Sequence, residues 1–262
     1  MTQIISIHSF RGGTGKSNVT ANLAAQAAMA GKRVAIVDTD IQSPGIHVLF
    51  GLDEGNVKYT LNDYLHGKCA ITEAAILVGR GENPQPGAAQ LADKLLWLVP
   101  SSIRTDEVSR VVREGYEFNV LNKGFKTLRT ELKLDYLLID THPGVNEETL
   151  LSIGISDKMV IIMRPDQQDF QGTAVTLDVA RGLDAPNIIL LLNKALSKFD
   201  RERIRKEVEA KFGAAAAGAL PLSEDMAELA SADIFSLRHP DHSWSQELRR
   251  AAQTILGLGE RP

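Results

Sequence analysis

Three glycines, a lysine and two hydroxyl residues stand together in the run Phe10-Arg11-Gly12-Gly13-Thr14-Gly15-Lys16-Ser17. Glycines carry no Cβ, so such a turn can bring several backbone N–H groups up to one anion. Lys16 adds a full positive charge suited to the β- and γ-phosphates of a nucleotide, and the Ser17 hydroxyl is a Mg²⁺ ligand. The chemistry on offer is therefore phosphate binding with a divalent counter-charge. Two further segments can complete it. The apolar run from Val34 ends in Asp38-Thr39-Asp40, and carboxylates two residues apart on an extended chain share one side. Beside a triphosphate, two carboxylates need a cation between them; one can hold a metal-bound water and the other can orient the attacking water. The run from Leu134 ends in Asp140-Thr141-His142-Pro143-Gly144. Asp140 reads as a Mg²⁺ ligand acting through water, and the Pro143-Gly144 turn can change when the γ-phosphate leaves. His142 reads as a spacer, because hydrolysis on such a loop needs no histidine base. His8 and His47 read as structural, and no Ser-His-Asp or Cys-His nucleophile system is evident.

A nucleotide also needs a site for its base. Asn193 ends the run Leu190–Leu192, and its amide offers a donor and an acceptor that match the edge of adenine; an ordinary turn asparagine is the competing reading. Pro221, within Ala219–Glu224, is a candidate second wall; there the alternative is a strand-to-helix turn capped by Ser223.

Elements must hold these residues in place. Short apolar runs at Ile4–Ile7, Val34–Val37, Leu95–Val99, Tyr136–Ile139, Met159–Met163, Ile188–Leu192 and Ala219–Leu222 alternate with helical-period segments. Runs that are apolar throughout suit strands buried on both faces. The expected fold is α/β: a three-layer, doubly wound, mostly parallel sheet, with the site at the C-terminal ends of its strands. The alanine-rich stretch Ala21 to Ala30 gives the helix after the glycine loop. Gly79–Gly87 reads as a surface loop, Ala214–Ala217 as a helix end, and Lys198 to Lys211 as a solvated helix face laced with ion pairs. The helix Trp244 to Leu256 has a core-facing apolar stripe. Residues 1–262 read as a single domain.

Composition narrows the function classes. Hydrophobic residues make up 44% of the 262, and the net charge of −4 gives no global basic field. Cys69 is the single cysteine, so neither a disulfide framework nor a Cys-x-x-Cys pair exists within this sequence, and a reducing cytoplasm fits. No signal peptide precedes the first strand, and no run is long enough to span a membrane.

Together, the loop from Arg11 to Ser17, the Asp38-Thr39-Asp40 segment, Asp140-Thr141-His142-Pro143 and the stretch from Leu220 to Pro240 resemble the MinD/ParA family of deviant P-loop ATPases over nearly the whole chain. The resemblance implies a P-loop nucleotidase fold, Mg-ATP as cofactor and an ATP-dependent face-to-face homodimer that recruits a partner and is reset by hydrolysis. It implies that Lys16 contacts the phosphates, with Gly12, Gly13, Thr14 and Gly15 cradling them. Ser17, Asp38 and Asp140 support the metal, Asp40 positions the water and Asn193 reads adenine. Arg11 stands where the family has a lysine that reaches into the partner's nucleotide; arginine keeps the charge and adds a bidentate fork. Asn18 replaces a usual hydroxyl and can donate to the α-phosphate. No basic amphipathic tail follows the last helix, so stable membrane anchoring is not expected.

The resulting expectation is a cytoplasmic ATP hydrolase acting as a dimerisation switch on a protein partner or cargo. Non-specific DNA is an alternative target, through a patch built from Arg201, Arg203, Arg205 and Lys206. Two other readings stand beside it: a non-hydrolysing nucleotide-binding scaffold, and an ATPase that drives metal insertion or redox chemistry, for which paired cysteines are missing.

Overall fold

The computed structural model describes residues 2–81, 84–185 and 187–258. Its strands are β1 (Gln3–His8), β2 (Val34–Asp38), β3 (Ile76–Leu77), β4 (Leu96–Val99), β5 (Tyr136–Asp140), β6 (Lys158–Met163), β7 (Ile188–Ala195) and β8 (Ala215–Pro221). They form one sheet in the order β3-β4-β2-β5-β1-β6-β7-β8. Every neighbouring pair is parallel except β3 with β4. The helices are α1 (Lys16–Met29), α2 (Leu61–Leu65), α3 (Pro86–Ala89), α4 (Thr105–Glu114), α5 (Phe118–Glu131), α6 (Glu147–Ile155), α7 (Gln167–Gly182), α8 (Arg201–Phe212), α9 (Glu224–Glu228), α10 (Phe235–Arg238) and α11 (Ser243–Leu256).

Strand side chains alternate between two cores. Ile5, Ile7, Ile36 and Leu138 pack with Leu23 of α1 and with Trp244 and Leu248 of α11. Ile4, Val37, Val99 and Ile139 pack with Phe125 and Leu128 of α5. On the β6–β8 side, Ile161 and Leu192 meet Leu177 of α7 and Val208 of α8. Helices on both faces of a parallel sheet make three layers, and fully buried strands explain the unbroken apolar runs. Each large side chain removed from water in this way contributes about 1.5–3 kcal/mol. Among the described residues no helix is long and apolar enough to cross a membrane.

Three local departures from expectation have physical causes. Ala215–Ala217 belongs to a strand, not a helix end. Helix α8 does stop at Phe212, with Gly213 in the left-handed conformation at φ 59°. The alanines then pair with Ile189 and Leu190 of β7, and Glu209 Oε1 accepts the Ala216 N–H at 3.0 Å. Sheet hydrogen bonds and burial override alanine's helix propensity here. The two-residue antiparallel edge β3 is too short to leave a periodic signal. The expected Gly79–Gly87 loop ends inside α3, whose Gly87 and Ala88 N–H groups are both held by the buried Asp233 carboxylate at 2.7 and 2.9 Å; Glu82 and Asn83 of that loop lie outside the described residues.

Candidate nucleotide site

The chain leaves β1 at His8 and turns into α1 through residues 9–15. Gly13 and Gly15 adopt φ 76° and 91°, the left-handed region that glycine enters without strain. A Cβ on Gly15 would overlap the Asn193 amide nitrogen, so glycine is required there on two counts. The loop's carbonyls are drawn outward. Thr14 O accepts from Asn193 Nδ2 at 2.8 Å, Gly13 O from Lys194 Nζ at 2.7 Å and Arg11 O from Ser9 Oγ at 2.9 Å. With these carbonyls taken, the loop's N–H groups and the N-terminus of α1 are left to an anion.

Lys16 is buried at the start of α1 and donates to Asp140 Oδ1 at 2.8 Å; its ammonium lies 3.9 Å from Asp40 Oδ2. Ser17 follows it, half-buried, and Thr20 Oγ1 donates within the same turn, 3.1 Å from Asp140 Oδ1. The sheet register makes Asp38 and Asp140 direct neighbours, both fully buried. Asp38 Oδ1 accepts the Asp40 N–H at 3.0 Å, while Asp38 Oδ2 and Asp140 Oδ2 have no hydrogen-bond partner. Burial, and then the Asp140 charge, hold the Asp38 carboxyl well above its ordinary pKa. Two adjoining carboxylates with unpartnered oxygens, one of them paired with Lys16, fit a hard divalent cation that takes oxygen ligands and keeps waters. Of the three residues expected to support a metal, the sheet register sets Asp38 beside Asp140.

His142 is not a spacer. Its Nδ1 donates to Asp40 Oδ1 at 2.6 Å, because the parallel register that pairs Asp38 with Asp140 also carries the next residues of both strands side by side. His8 is structural as expected. Its Nδ1 bonds the Thr141 hydroxyl at 2.8 Å, and burial, followed by the charges of Lys16 and His142, lowers its pKa to about 3.

Arg11 lies against α7. Its guanidinium donates to Gln168 Oε1 and stands 3.8 Å from Asp169 Oδ1, and the side chain is 40% exposed. Beside it, Phe10 packs on Gly172, where a Cβ would overlap the ring.

On the base side, Asn193 is buried, and its Oδ1 accepts from Trp244 Nε1 at 3.3 Å. Its amide holds the phosphate loop to α11 in this structure. Pro221 ends β8 and lines a cleft of about 680 Å³ with Leu196, Phe199 and Leu222. Ser223 caps α9 by accepting the Met226 N–H at 3.1 Å. Asn18 Nδ2 reaches Ser231 Oγ at 3.3 Å. On α8, Arg203 pairs with Glu207, Arg205 with Glu202 and Glu209, and Lys206 with Glu202, the expected ion-pair lacing. Sequence reasoning missed Thr20 and Lys194. For Lys194, adjacency to the singled-out Asn193 was a usable signal; for Thr20 it was the hydroxyl one helical turn beyond Lys16.

A family model described as an AAA domain matches residues 2–188. An uncharacterised ATP-binding protein of Methanocaldococcus jannaschii is 26% identical over 258 residues, covering 98% of this chain and 89% of the relative. The septum site-determining protein MinD of Bacillus subtilis is 30% identical over 168 residues, 63% of this chain and 54% of its own length. Among solved structures, MinD of Pyrococcus horikoshii complexed with Mg-ADP superposes with a TM-score of 0.78 at 22% identity, covering 97% of this chain and 96% of that one.

Proposed function

This chain belongs to the MinD/ParA family of P-loop ATPases, which uses ATP and Mg²⁺, and we propose that residues 1–262 form one cytoplasmic ATPase domain acting as an ATP-dependent dimerisation switch. The observation that carries the reading is the placement of Arg11. It belongs to the phosphate loop, yet its guanidinium rests half-exposed on α7 with Gln168 and Asp169, and not with Lys16 at Asp140. A half-exposed loop cation outside its own cradle can reach the nucleotide of a second copy by leaving Gln168 and Asp169.

In this reading Lys16 exchanges Asp140 for the β- and γ-phosphates, and the N–H groups of residues 12–17 hold the remaining phosphate oxygens. Ser17, Asp38 and Asp140 would hold Mg²⁺, and the ion would supply charge neutralisation at the transferred phosphate. Asp40 orients the attacking water. Arg11 of one copy stabilises negative charge on the other's phosphates, as an arginine supplied in trans does. The adenine lies toward Pro221, with Asn193 able to meet it once its amide turns from Thr14. Asn18 donates to the α-phosphate on leaving Ser231.

The partner we favour is a protein. The arginines of the expected nucleic-acid patch are mostly spent on Glu202, Glu207 and Glu209, so a DNA shift that appears only with ATP and weakens with salt would reverse this preference. The test of the switch is light scattering of Asp40→Ala with saturating ATP and Mg²⁺. A stable dimer is expected; a persistent monomer overturns the model. Arg11→Ala should keep nucleotide affinity and lose about tenfold or more of dimer-dependent turnover. Unchanged turnover removes the in-trans role.

A further inference from the structure

The Asp40 carboxylate, read as the group that orients the attacking water, is held by a histidine from the neighbouring strand end. His142 Nδ1 and Asp40 Oδ1 are 2.6 Å apart, with the side chains only 20% and 10% exposed. The contact follows from the sheet. Asp38 and Asp140 are Cα partners in the β2–β5 ladder, and Asp40 and His142 each lie two residues beyond that pair. Both segments are tied down. Thr39 donates to Asp140 O through its N–H at 2.9 Å and its hydroxyl at 3.1 Å. Thr141 N–H donates to Ile7 O at 3.2 Å, and Gly144 N–H to Ser9 O at 3.0 Å. The turn carrying His142 is therefore fixed to the strand that launches the phosphate loop.

The two carboxylate oxygens of Asp40 are used differently. Oδ1 accepts from His142 Nδ1 and, at 3.2 Å, from the Ser43 N–H. Oδ2 is the oxygen on the Lys16 side, 3.9 Å from the ammonium. Two donors on one oxygen define the rotamer of a carboxylate and leave the other oxygen facing the loop. A carboxylate only accepts, so the imidazole must carry its proton on Nδ1.

We propose that His142 is the positioning residue for Asp40: by donating from Nδ1 to Oδ1 it holds Oδ2 toward the phosphate loop, where a water can be aligned for in-line attack. This rests on the reading of Asp40 as the water-orienting group. His142 itself touches neither water nor nucleotide in this scheme. Orientation of a reacting group is a term in kcat, and a misplacement of about 1 Å can cost about a hundredfold.

The test compares three variants of the full chain in Mg²⁺-dependent phosphate release from ATP. His142→Ala is expected to lower kcat by about tenfold or more, with KM for ATP within about twofold of the parent. His142→Asn places an N–H at the same distance along the side chain as Nδ1, and is expected to recover most of that loss. His142→Leu fills the volume without a donor and should resemble His142→Ala. Unchanged kcat in His142→Ala, or equal rates for the Asn and Leu variants, overturns the proposal. A second readout does not need turnover: the imidazole nitrogen resonances of His142, measured in the parent and in Asp40→Ala. A shift of the Nδ1 signal confined to His142 is expected, and its absence overturns the contact. If the parent and Asp40→Ala hydrolyse ATP equally, the water-orienting role of Asp40 fails on its own account, and the catalytic consequence drawn for His142 falls with it, whatever the ring signal shows.

Discussion

Lys16 and Asp140 are joined across the site by a 2.8 Å ion pair, both side chains almost fully buried. The residue suited to grip phosphate is held by the residue suited to hold the metal, so nucleotide and Mg²⁺ must part them together. A buried charge that loses its partner is costly, and arrival of a phosphate with its cation supplies new partners to both. Asp140→Asn is expected to uncouple the two. Mg²⁺ should no longer raise ATP affinity by more than about threefold, while metal-free affinity stays level or tightens as Lys16 is released. Titration with a fluorescent ATP analogue, in Mg²⁺ and in chelator, measures this. A Mg²⁺ dependence equal to the parent's would show that Asp140 does not support the ion.

Gly15→Ala tests the loop conformation itself. The substitution places a Cβ at φ 91° and against the Asn193 amide. Backbone strain of this kind costs about 1–3 kcal/mol, small enough for the chain to fold. Relief would come by moving Asn193 off Thr14 O, which unlatches the carbonyl and spoils the row of N–H groups. Nucleotide affinity is expected to fall by about a hundredfold, an effect of about 2.7 kcal/mol, with a cooperative unfolding transition retained. Affinity within a few-fold of the parent would mean that the Asn193 latch is dispensable.

How much of this was open to a reader of the sequence depends on whether the chemistry is contiguous. The phosphate loop was legible because its glycines, Lys16 and Ser17 are adjacent and the strand and helix around them are strongly apolar. Asp38 and Asp140 were legible as strand ends; that β2 and β5 are neighbours, which sets the two side by side, was not. His142 was misread because its partner Asp40 lies 102 positions away, and only the β2–β5 register brings them together. Still longer separations, 179 and 181 positions, hid the Asn193–Thr14 and Lys194–Gly13 latches, which use side chains typical of an ordinary turn. Ala215–Ala217 was misassigned for a different reason: alanine's local preference opposes the pairing that burial imposes, and no side-chain pattern marks the outcome.

Acid stability should report on His8. Its folded pKa of about 3 lies below the ordinary 6.5, so between those values the unfolded chain takes up a proton that the folded chain refuses. The stabilisation is fully present above pH 6.5 and is lost as pH falls toward about 3, with a slope of up to about 1.4 kcal/mol per pH unit. His8→Asn keeps a donor for the Thr141 hydroxyl but cannot titrate. Urea unfolding of the variant between pH 6.5 and 4 is expected to show a shallower pH dependence than the parent. Identical slopes would show that His8 is not the source of the acid sensitivity.

Phe10 and Gly172 offer the sharpest test of how α7 and the phosphate loop are joined. Gly172 lies in the interior of α7, where alanine is normally preferred to glycine by about 1 kcal/mol. A Cβ there overlaps the Phe10 ring, and Phe10 immediately precedes Arg11. Gly172→Ala alone should therefore destabilise the protein and weaken nucleotide binding, since the ring must move and pull the loop with it. In a Phe10→Ala background the obstacle is gone, and the same Gly172→Ala change should stabilise by about 0.5–1 kcal/mol through helix propensity. The sign of one substitution thus reverses with the identity of a residue 162 positions away, a coupling of about 1 kcal/mol or more that a double-mutant cycle in urea resolves. Additive effects would mean that the ring and the helix are not in contact. The α7 surface under Arg11 would then have no mechanical link to the loop that holds phosphate.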